Sequence, residues 1–402
     1  MATIQVRNRL RRSEPVVGAS LRLDSQSLAL PITATTNDRG AATLATMSLA
    51  NGTYTLRVTP RETDAGPVGP ATARNATTDR IFRSLSIDLT LSGGAIVTAT
   101  VQPGNAANGT VTVASGQLLD VALQPVWMRS PNQRARGLEI NGILIHHTGG
   151  PTIGGALEEF LREGGTSAHY VVDTDGQTVK MVQDSQRASH AGIARWNEDS
   201  NVNSRTIGIE IVNLTGPYPS VQIDAVMALL TRLRTAFPSI VPWNVIGHSD
   251  VATDDSGKLG RKSSDPGSRF EWVRVEALGL GMSASTGPID STMYGGFFVN
   301  FANESLRQND NDAGRVFGGL IRPVVSGNPI HDLQTDLRTI GYTLGAVDGG
   351  FGPKTRAAVE MFQEHFFAGG RGHKEPDGRV DRQTARLIKA VVLAKVTSQA
   401  VV

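Results

Sequence analysis

At 402 residues, 39% of them hydrophobic, the chain has room for roughly two to four domains, each with its own core. A formal charge of +2 leaves no basic excess of the kind that marks a nucleic-acid-binding face, so no nucleic-acid partner is expected. The absence of cysteine excludes disulfides, thiolate metal sites and a cysteine nucleophile.

The stretch from Met1 to Leu10 lacks the apolar core of a signal peptide, and no run is long enough to span a bilayer. Residues 1–125 read as all-β. Apolar side chains alternate at Leu21 and Leu23, at Tyr54, Leu56 and Val58, and at Leu85, Ile87, Leu89 and Leu91. Turn signals at Asn37-Asp38-Arg39-Gly40, Asn51-Gly52 and Ser92-Gly93-Gly94 separate the runs, giving an expected β-sandwich. The turn and strand sequences over Pro15–Leu56 resemble transthyretin-like sandwich modules, which implies a docking or spacer role. Residues 61–80, rich in Thr, Ala, Pro and Gly, read as a long loop.

Residues 129–280 alternate between the two periods and predict a mixed α/β domain. Strands are expected at 142–147, 169–173, 178–182, 206–212 and 243–247, with Asp175-Gly176 as a hairpin turn. Helical spacing links Ala156, Leu157, Phe160 and Leu161, and again Ile223, Val226, Met227, Leu230 and Leu233. Residues 281–328 read as a connector with an apolar island at Met293–Phe298 that packs on a neighbouring domain. Residues 329–395 read as helical. Within them Asp348–Thr355 is echoed by Asp377–Thr384, each copy a turn leading into a helix start.

The chemistry-bearing residues gather in the α/β segment, which holds five of the eight histidines. Successive strand side chains face opposite ways, so His146 can enter a site while His147 faces away. His146, His248 and Asp265 are two imidazoles and a carboxylate, an arrangement suited to catalytic zinc with an open position for water. Taken singly, strand-end histidines and a turn aspartate also fit ordinary structural roles. Glu210 interrupts the apolar strand Thr206-Ile207-Gly208-Ile209-Glu210-Ile211-Val212. Two readings fit it: a general base beside a metal site, or an edge-strand carboxylate facing solvent. His190, Trp196 and Asn203 lie in a loop-like stretch whose polar and aromatic groups suit a sugar-peptide groove. No Gly-x-Ser-x-Gly elbow is present, which argues against a serine hydrolase.

Leu144-Ile145-His146-His147-Thr148, Ser167-Ala168-His169-Tyr170, His190-Ala191-Gly192, Ile207-Gly208-Ile209-Glu210, Gly247-His248-Ser249-Asp250 and Asp265-Pro266-Gly267 stand in family order. The segment resembles the zinc-dependent N-acetylmuramoyl-L-alanine amidases of the type-2 class, which are related to phage amidase lysozymes and peptidoglycan recognition proteins. The resemblance implies a central mixed sheet flanked by helices and cleavage of the amide between the muramic lactyl group and L-alanine. It implies Zn2+ on His146, His248 and Asp265, with Glu210 activating or orienting the water. The family's usual lysine, two residues before the last ligand, falls on Ser263, with Lys262 one residue further back; a one-residue bulge would return Lys262 to the site. The family's tyrosine position is Ala168, so His169 is expected to share its work beside the substrate. Non-catalytic recognition proteins commonly lack the third ligand, whereas Asp265 is present, which favours an enzyme.

Leu333-Gln334, Ile340-Gly341-Tyr342, Asp348-Gly349, Phe351-Gly352-Pro353-Lys354-Thr355 and Phe362-Gln363 resemble the three-helix peptidoglycan-binding domain, with a longer insert from Gly369 to Pro376. The whole is therefore expected to be a multidomain wall hydrolase: all-β sandwich, α/β zinc amidase, helical wall-binding module. Bacterial peptidoglycan is the expected partner. A particle or secretion apparatus is expected at the β domain, with delivery by phage lysis, virion or injection. The competing readings are a non-cleaving peptidoglycan receptor and a structural part of a phage or injection particle.

Overall fold

The computed structural model describes residues 1–10, 14–26, 28–60, 80–284, 293–301, 303–322, 325–367 and 375–399. The loop expected at 61–80 lies outside the described residues except for its last position, as does the insert from 369 to 374. The chain forms two compact units. The first holds Met1–Pro131, Ile153–Arg162 and Gln177–Met181; the second holds Asn132–Thr152, Glu163–Gly176 and Val182–Val402.

In the first unit, strict alternation builds two sheets. One runs in the order Ala41–Leu44, Ala2–Asn8, Leu118–Leu123, Gly109–Ser115, and the other Ile32–Thr35, Ser20–Asp24, Gly52–Thr59, Leu85–Ser92, Ala95–Val101. Inward side chains of both sheets, among them Ile4, Leu21, Leu23, Leu56, Val58, Ile87 and Val121, form one apolar cluster. Thr178–Lys180 pairs in parallel with Pro125–Met128 through Trp127 and Lys180. Ser130 Oγ donates to Phe160 O at the end of helix Ile153–Leu161. These segments, read from sequence as part of the 129–280 domain, therefore join the first unit.

In the second unit the strand order is Val245–Gly247, Gly142–His147, Thr206–Ile211, Tyr170–Val172, every neighbour parallel. Parallel strands are covered on both faces, which is why Gly142–His147 reads as a continuous apolar run and is buried over its first five residues. The helix Ser220–Ala236 buries Ile223, Val226, Met227, Leu230 and Leu233, as its spacing predicts. Its Gln222 donates through Nε2 to Val172 O and Val212 O, satisfying carbonyls at two strand ends.

The C-terminal helices Pro329–Ile340, Pro353–Phe367 and Arg382–Gln399 repeat one device twice. Gln334 accepts from the amides of Asp348 and Gly349 and donates to Asp348, Gly350 and Thr355. Gln363 accepts from Asp377 and Gly378 and donates to Asp377, Arg379 and Thr384. Each buried glutamine amide thus ties a turn to the helix that follows it. The apolar island belongs to this module: Tyr294, Phe297 and Phe298 are buried, and Tyr294 OH donates to Asp336 Oδ2 at 2.8 Å. A Cβ at Gly295, whose φ is +61°, would lie 1.7 Å from Ser326 O, so only glycine allows that approach.

One apolar cluster runs without a break from Leu144, Trp243 and Ile246 to Leu333, Phe362 and Val391. The α/β strands and the C-terminal helices therefore share a core. No helix among the described residues is long and apolar enough to cross a membrane.

Candidate metal centre

Three strands deliver the candidate residues to the carboxyl end of the parallel sheet, where open α/β sheets carry their ligands. His146 stands near the end of Gly142–His147, and Glu210 is its direct register partner on Thr206–Ile211. His248 follows Val245–Gly247. Asp265 arrives from a turn fixed by two backbone bonds, Ser249 N to Asp265 O and Asp265 N to Lys262 O, and by His147 N donating to its side-chain Oδ1. His147 itself turns away, its Nδ1 accepting from Gly149 N.

The three groups meet. His146 Nδ1 lies 3.0 Å from His248 Nδ1, His248 Nδ1 lies 2.8 Å from Asp265 Oδ2, and His146 Nδ1 lies 3.7 Å from that oxygen. All three side chains are buried. Among the described residues this is the one group of histidines and carboxylates close enough to hold a metal ion.

Hydrogen bonds outside the cluster decide which ring nitrogens face into it. His248 Nε2 must carry a proton, because its partner at 2.8 Å is the Ala191 carbonyl. That leaves Nδ1 as the nitrogen facing His146 and Asp265. Burial, reinforced by His248, lowers the pKa of His146 to about 4, so its ring is neutral at pH 7. His146 Nε2 faces His190 Nδ1 at 3.0 Å, so Nδ1 is its nitrogen on the side of His248 and Asp265. Burial raises the Asp265 pKa, but the hydrogen bonds and charges of the two histidines outweigh it and hold the group well below the usual carboxylate range. Two imidazole nitrogens and a carboxylate oxygen thus converge in one buried pocket, a donor set that fits a cation. Zinc bonds of about 2.0–2.1 Å at tetrahedral angles would space such donors by about 3.3 Å, within the spread of the three distances.

Glu210 is the second anomaly. Its Oε2 is buried with no hydrogen-bond partner among the described residues. Burial, then the Asp265 charge, pushes its pKa well above the usual range, while Lys262 opposes the shift. The ammonium of Lys262 also acts on His146. Of the two positions left open by sequence, Lys262 thus has its charge felt at the cluster, although its side chain is exposed. Glu210 is not on an edge: its strand is paired on both sides.

The residues expected to line a groove have partners within the protein. His169 is fully buried, with Nδ1 accepting from Gly208 N and Nε2 beside Gln186 O and Arg136. Asn203 Oδ1 accepts from the amides of His190 and Ala191. Trp196 packs edge-on to Tyr342 and donates to Asn244. It lines a cavity of about 310 Å³ with Gly142 and Thr206, at the opposite ends of the strands from His146 and Glu210. These three side chains have partners within the protein: His169 just before the strand Tyr170–Val172, Trp196 in a loop, and Asn203 in the short helix Val202–Arg205. His190 does reach the cluster, but behind His146. Its Nε2 is buried and without a hydrogen-bond partner among the described residues.

Sequence reasoning missed Arg136 and Tyr218. The Arg136 guanidinium donates to the carbonyls of Asp184, Ser204, Thr206 and Gln186, and burial lowers its pKa to about 10. Tyr218 OH donates to Pro266 O at 2.7 Å, bracing the turn that carries Asp265. Neither stands in a periodic pattern that would mark it.

Residues 136–268 match the family model described as N-acetylmuramoyl-L-alanine amidase, and residues 326–388 match that of a putative peptidoglycan binding domain. Over 113 residues the chain is 33% identical to the 1,6-anhydro-N-acetylmuramyl-L-alanine amidase AmpD of Enterobacter cloacae, covering 28% of this chain and 56% of that protein. The chain thus spans little more than half the length of that curated relative. A putative N-acetylmuramoyl-L-alanine amidase of Rickettsia conorii is 23% identical over 217 residues, which is 53% of this chain and 70% of that one. The crystal structure of AmpDh3 from Pseudomonas aeruginosa aligns with a TM-score of 0.46 at 26% identity, covering 63% of this chain and 92% of that one.

Proposed function

We propose, for a chain that carries an N-acetylmuramoyl-L-alanine amidase domain and a putative peptidoglycan binding domain, that it hydrolyses the amide between N-acetylmuramic acid and L-alanine in the bacterial wall. The observation that carries the reading is the convergence of two imidazoles and a carboxylate beside Glu210, whose buried Oε2 has no hydrogen-bond partner among the described residues.

In this reading His146, His248 and Asp265 hold Zn2+. The ion supplies Lewis-acid polarisation of the lactyl carbonyl and acidifies a water. Glu210 takes a proton from the attacking water, its free Oε2 being the acceptor. As the carbon–nitrogen bond breaks, the same carboxyl returns that proton to the departing L-alanine amine. The Lys262 ammonium, whose field reaches Glu210 and His146, offsets the charge on the tetrahedral oxyanion. His190 orients His146, and Asn203 orients His190 by gripping its backbone. The C-terminal module holds wall polymer, raising the substrate concentration at the sheet. The two N-terminal sheets are read as a sandwich that docks or spaces, with a particle or secretion apparatus as its partner.

The test is digestion of purified sacculi followed by mass spectrometry. New L-alanine amino termini, lost on chelation and restored by zinc, are expected. Binding to sacculi without any such termini would replace the hydrolase with a non-cleaving receptor.

A further inference from the structure

A tether needs only a linker, yet the C-terminal module reaches into the turn that carries a metal ligand. Asp250 lies two residues after His248 and is 0% exposed. Its Oδ2 accepts from Gly247 N at 2.8 Å and lies 2.8 Å from His365 Nδ1. Its Oδ1 accepts from Tyr342 OH at 2.8 Å. Tyr342 and His365 both belong to the module matched as peptidoglycan-binding. The His365 ring also stacks on Trp272, centroids 3.9 Å apart and planes 21° from parallel. Trp272 closes over the turn in its own right: a Cβ on Gly247 would lie 3.2 Å from its ring.

A buried carboxylate cannot lose two of its three partners without cost, because no water replaces them. Its relief is to move, and the backbone that moves with it is Gly247 to Asp250. His248 sits inside that stretch, with Nδ1 held at 2.8 and 3.0 Å from the two other donors. We propose that Tyr342 and His365 are positioning residues for the metal centre: they hold Asp250, Asp250 holds the turn, and the turn sets where His248 points. The wall-binding module then completes the site it serves. Its removal weakens the metal centre as well as wall attachment. Only the catalytic consequence rests on the amidase reading; the effect on metal binding does not.

The test uses the full chain with Tyr342→Phe, His365→Ala, and His365→Asn, whose amide nitrogen can stand in for Nδ1. Zinc affinity is measured by competition with a chromophoric chelator, kcat and KM on a soluble muramyl tripeptide, and binding on sacculi. Tyr342→Phe and His365→Ala are expected to weaken zinc binding by about 10-fold to 100-fold, as loss of outer partners does at other metal sites. They should lower kcat on the soluble substrate with little change in KM, and leave sacculus binding intact because Tyr342 and His365 are buried. His365→Asn should recover most of the zinc affinity. Wild-type zinc affinity in both variants, whatever happens to thermal stability, would reduce the contacts to adhesion between modules and overturn the proposal. If His365→Ala does not fold, Tyr342→Phe, which removes one hydroxyl and keeps the ring, decides the matter. A wild-type chain inert on muramyl peptides would sink the amidase reading while the zinc measurement still judged this one.

Discussion

Gly208→Ala tests how His146 is held. An ideal Cβ on Gly208 would lie 2.6, 2.7 and 2.8 Å from Cγ, Cδ2 and Nδ1 of His190. Ordinary contact begins at 3.4 Å, so the ring must retreat by about 0.8 Å, the difference between 3.4 and 2.6 Å. It has nowhere easy to go, since Asn203 grips its backbone and the His169 ring stands 5.8 Å from its centroid. A retreat along the line to His146 would take the 3.0 Å contact with Nε2 beyond hydrogen-bond reach. Overpacking of this kind costs about 1–3 kcal/mol, and loss of an outer partner costs a metal site about 10-fold to 100-fold in affinity. The assay is a urea unfolding curve with a chelator competition on the same sample. Gly216→Ala is the control, because a Cβ there meets nothing within 4 Å. Wild-type stability and zinc affinity in Gly208→Ala would show that His190 does not orient His146.

Other predictions follow from single groups. Glu210→Gln keeps the side chain's shape but cannot accept the proton, so turnover of muramyl peptide should fall by about 10²–10⁴ with zinc content unchanged; full activity would remove Glu210 from its role. Gln363→Ala should destabilise the chain by about 1–3 kcal/mol, because it strands the amides of Asp377 and Gly378. Gln334→Ala should do the same through Asp348 and Gly349, and a neutral result in denaturation would contradict the paired device. Burial, then the charges of Asp250 and Glu375, raises the Glu364 pKa from 4.5 to about 7. Between those values the folded chain keeps a proton that the unfolded chain has lost, so this group's contribution to stability falls as pH rises from 4.5 to 7. Glu364→Gln should therefore gain more stability over wild type at pH 8 than at pH 5, and equal gains at both would refute the cause assigned.

What the chain announces locally it announces well. Strand alternation separates His146 from His147, and the apolar setting of Glu210 marks a carboxylate without an ordinary partner. Helical spacing locates the buried faces of Ser220–Ala236 and Pro329–Ile340. What escaped depends on contacts far apart in sequence. Tyr342 and His365 reach Asp250 across 92 and 115 residues, and no periodicity encodes such a meeting. The internal partners of His169, Asn203 and Trp196 were not legible for a related reason: a polar or aromatic side chain looks the same in sequence whether it faces a substrate or bonds a distant part of the fold. Arg136 was missed because four of its partners are carbonyls, which leave no mark on a sequence.

Zinc content of the dialysed protein, measured beside His146→Ala, His248→Ala, Asp265→Ala and His147→Ala, decides whether the three donors hold a metal. One zinc per wild-type chain is expected, with its loss from each of the first three variants and its retention in His147→Ala, whose ring faces Gly149 N. A wild-type chain that binds no zinc, or one that keeps it without His248, would contradict the metal centre and the hydrolase built on it.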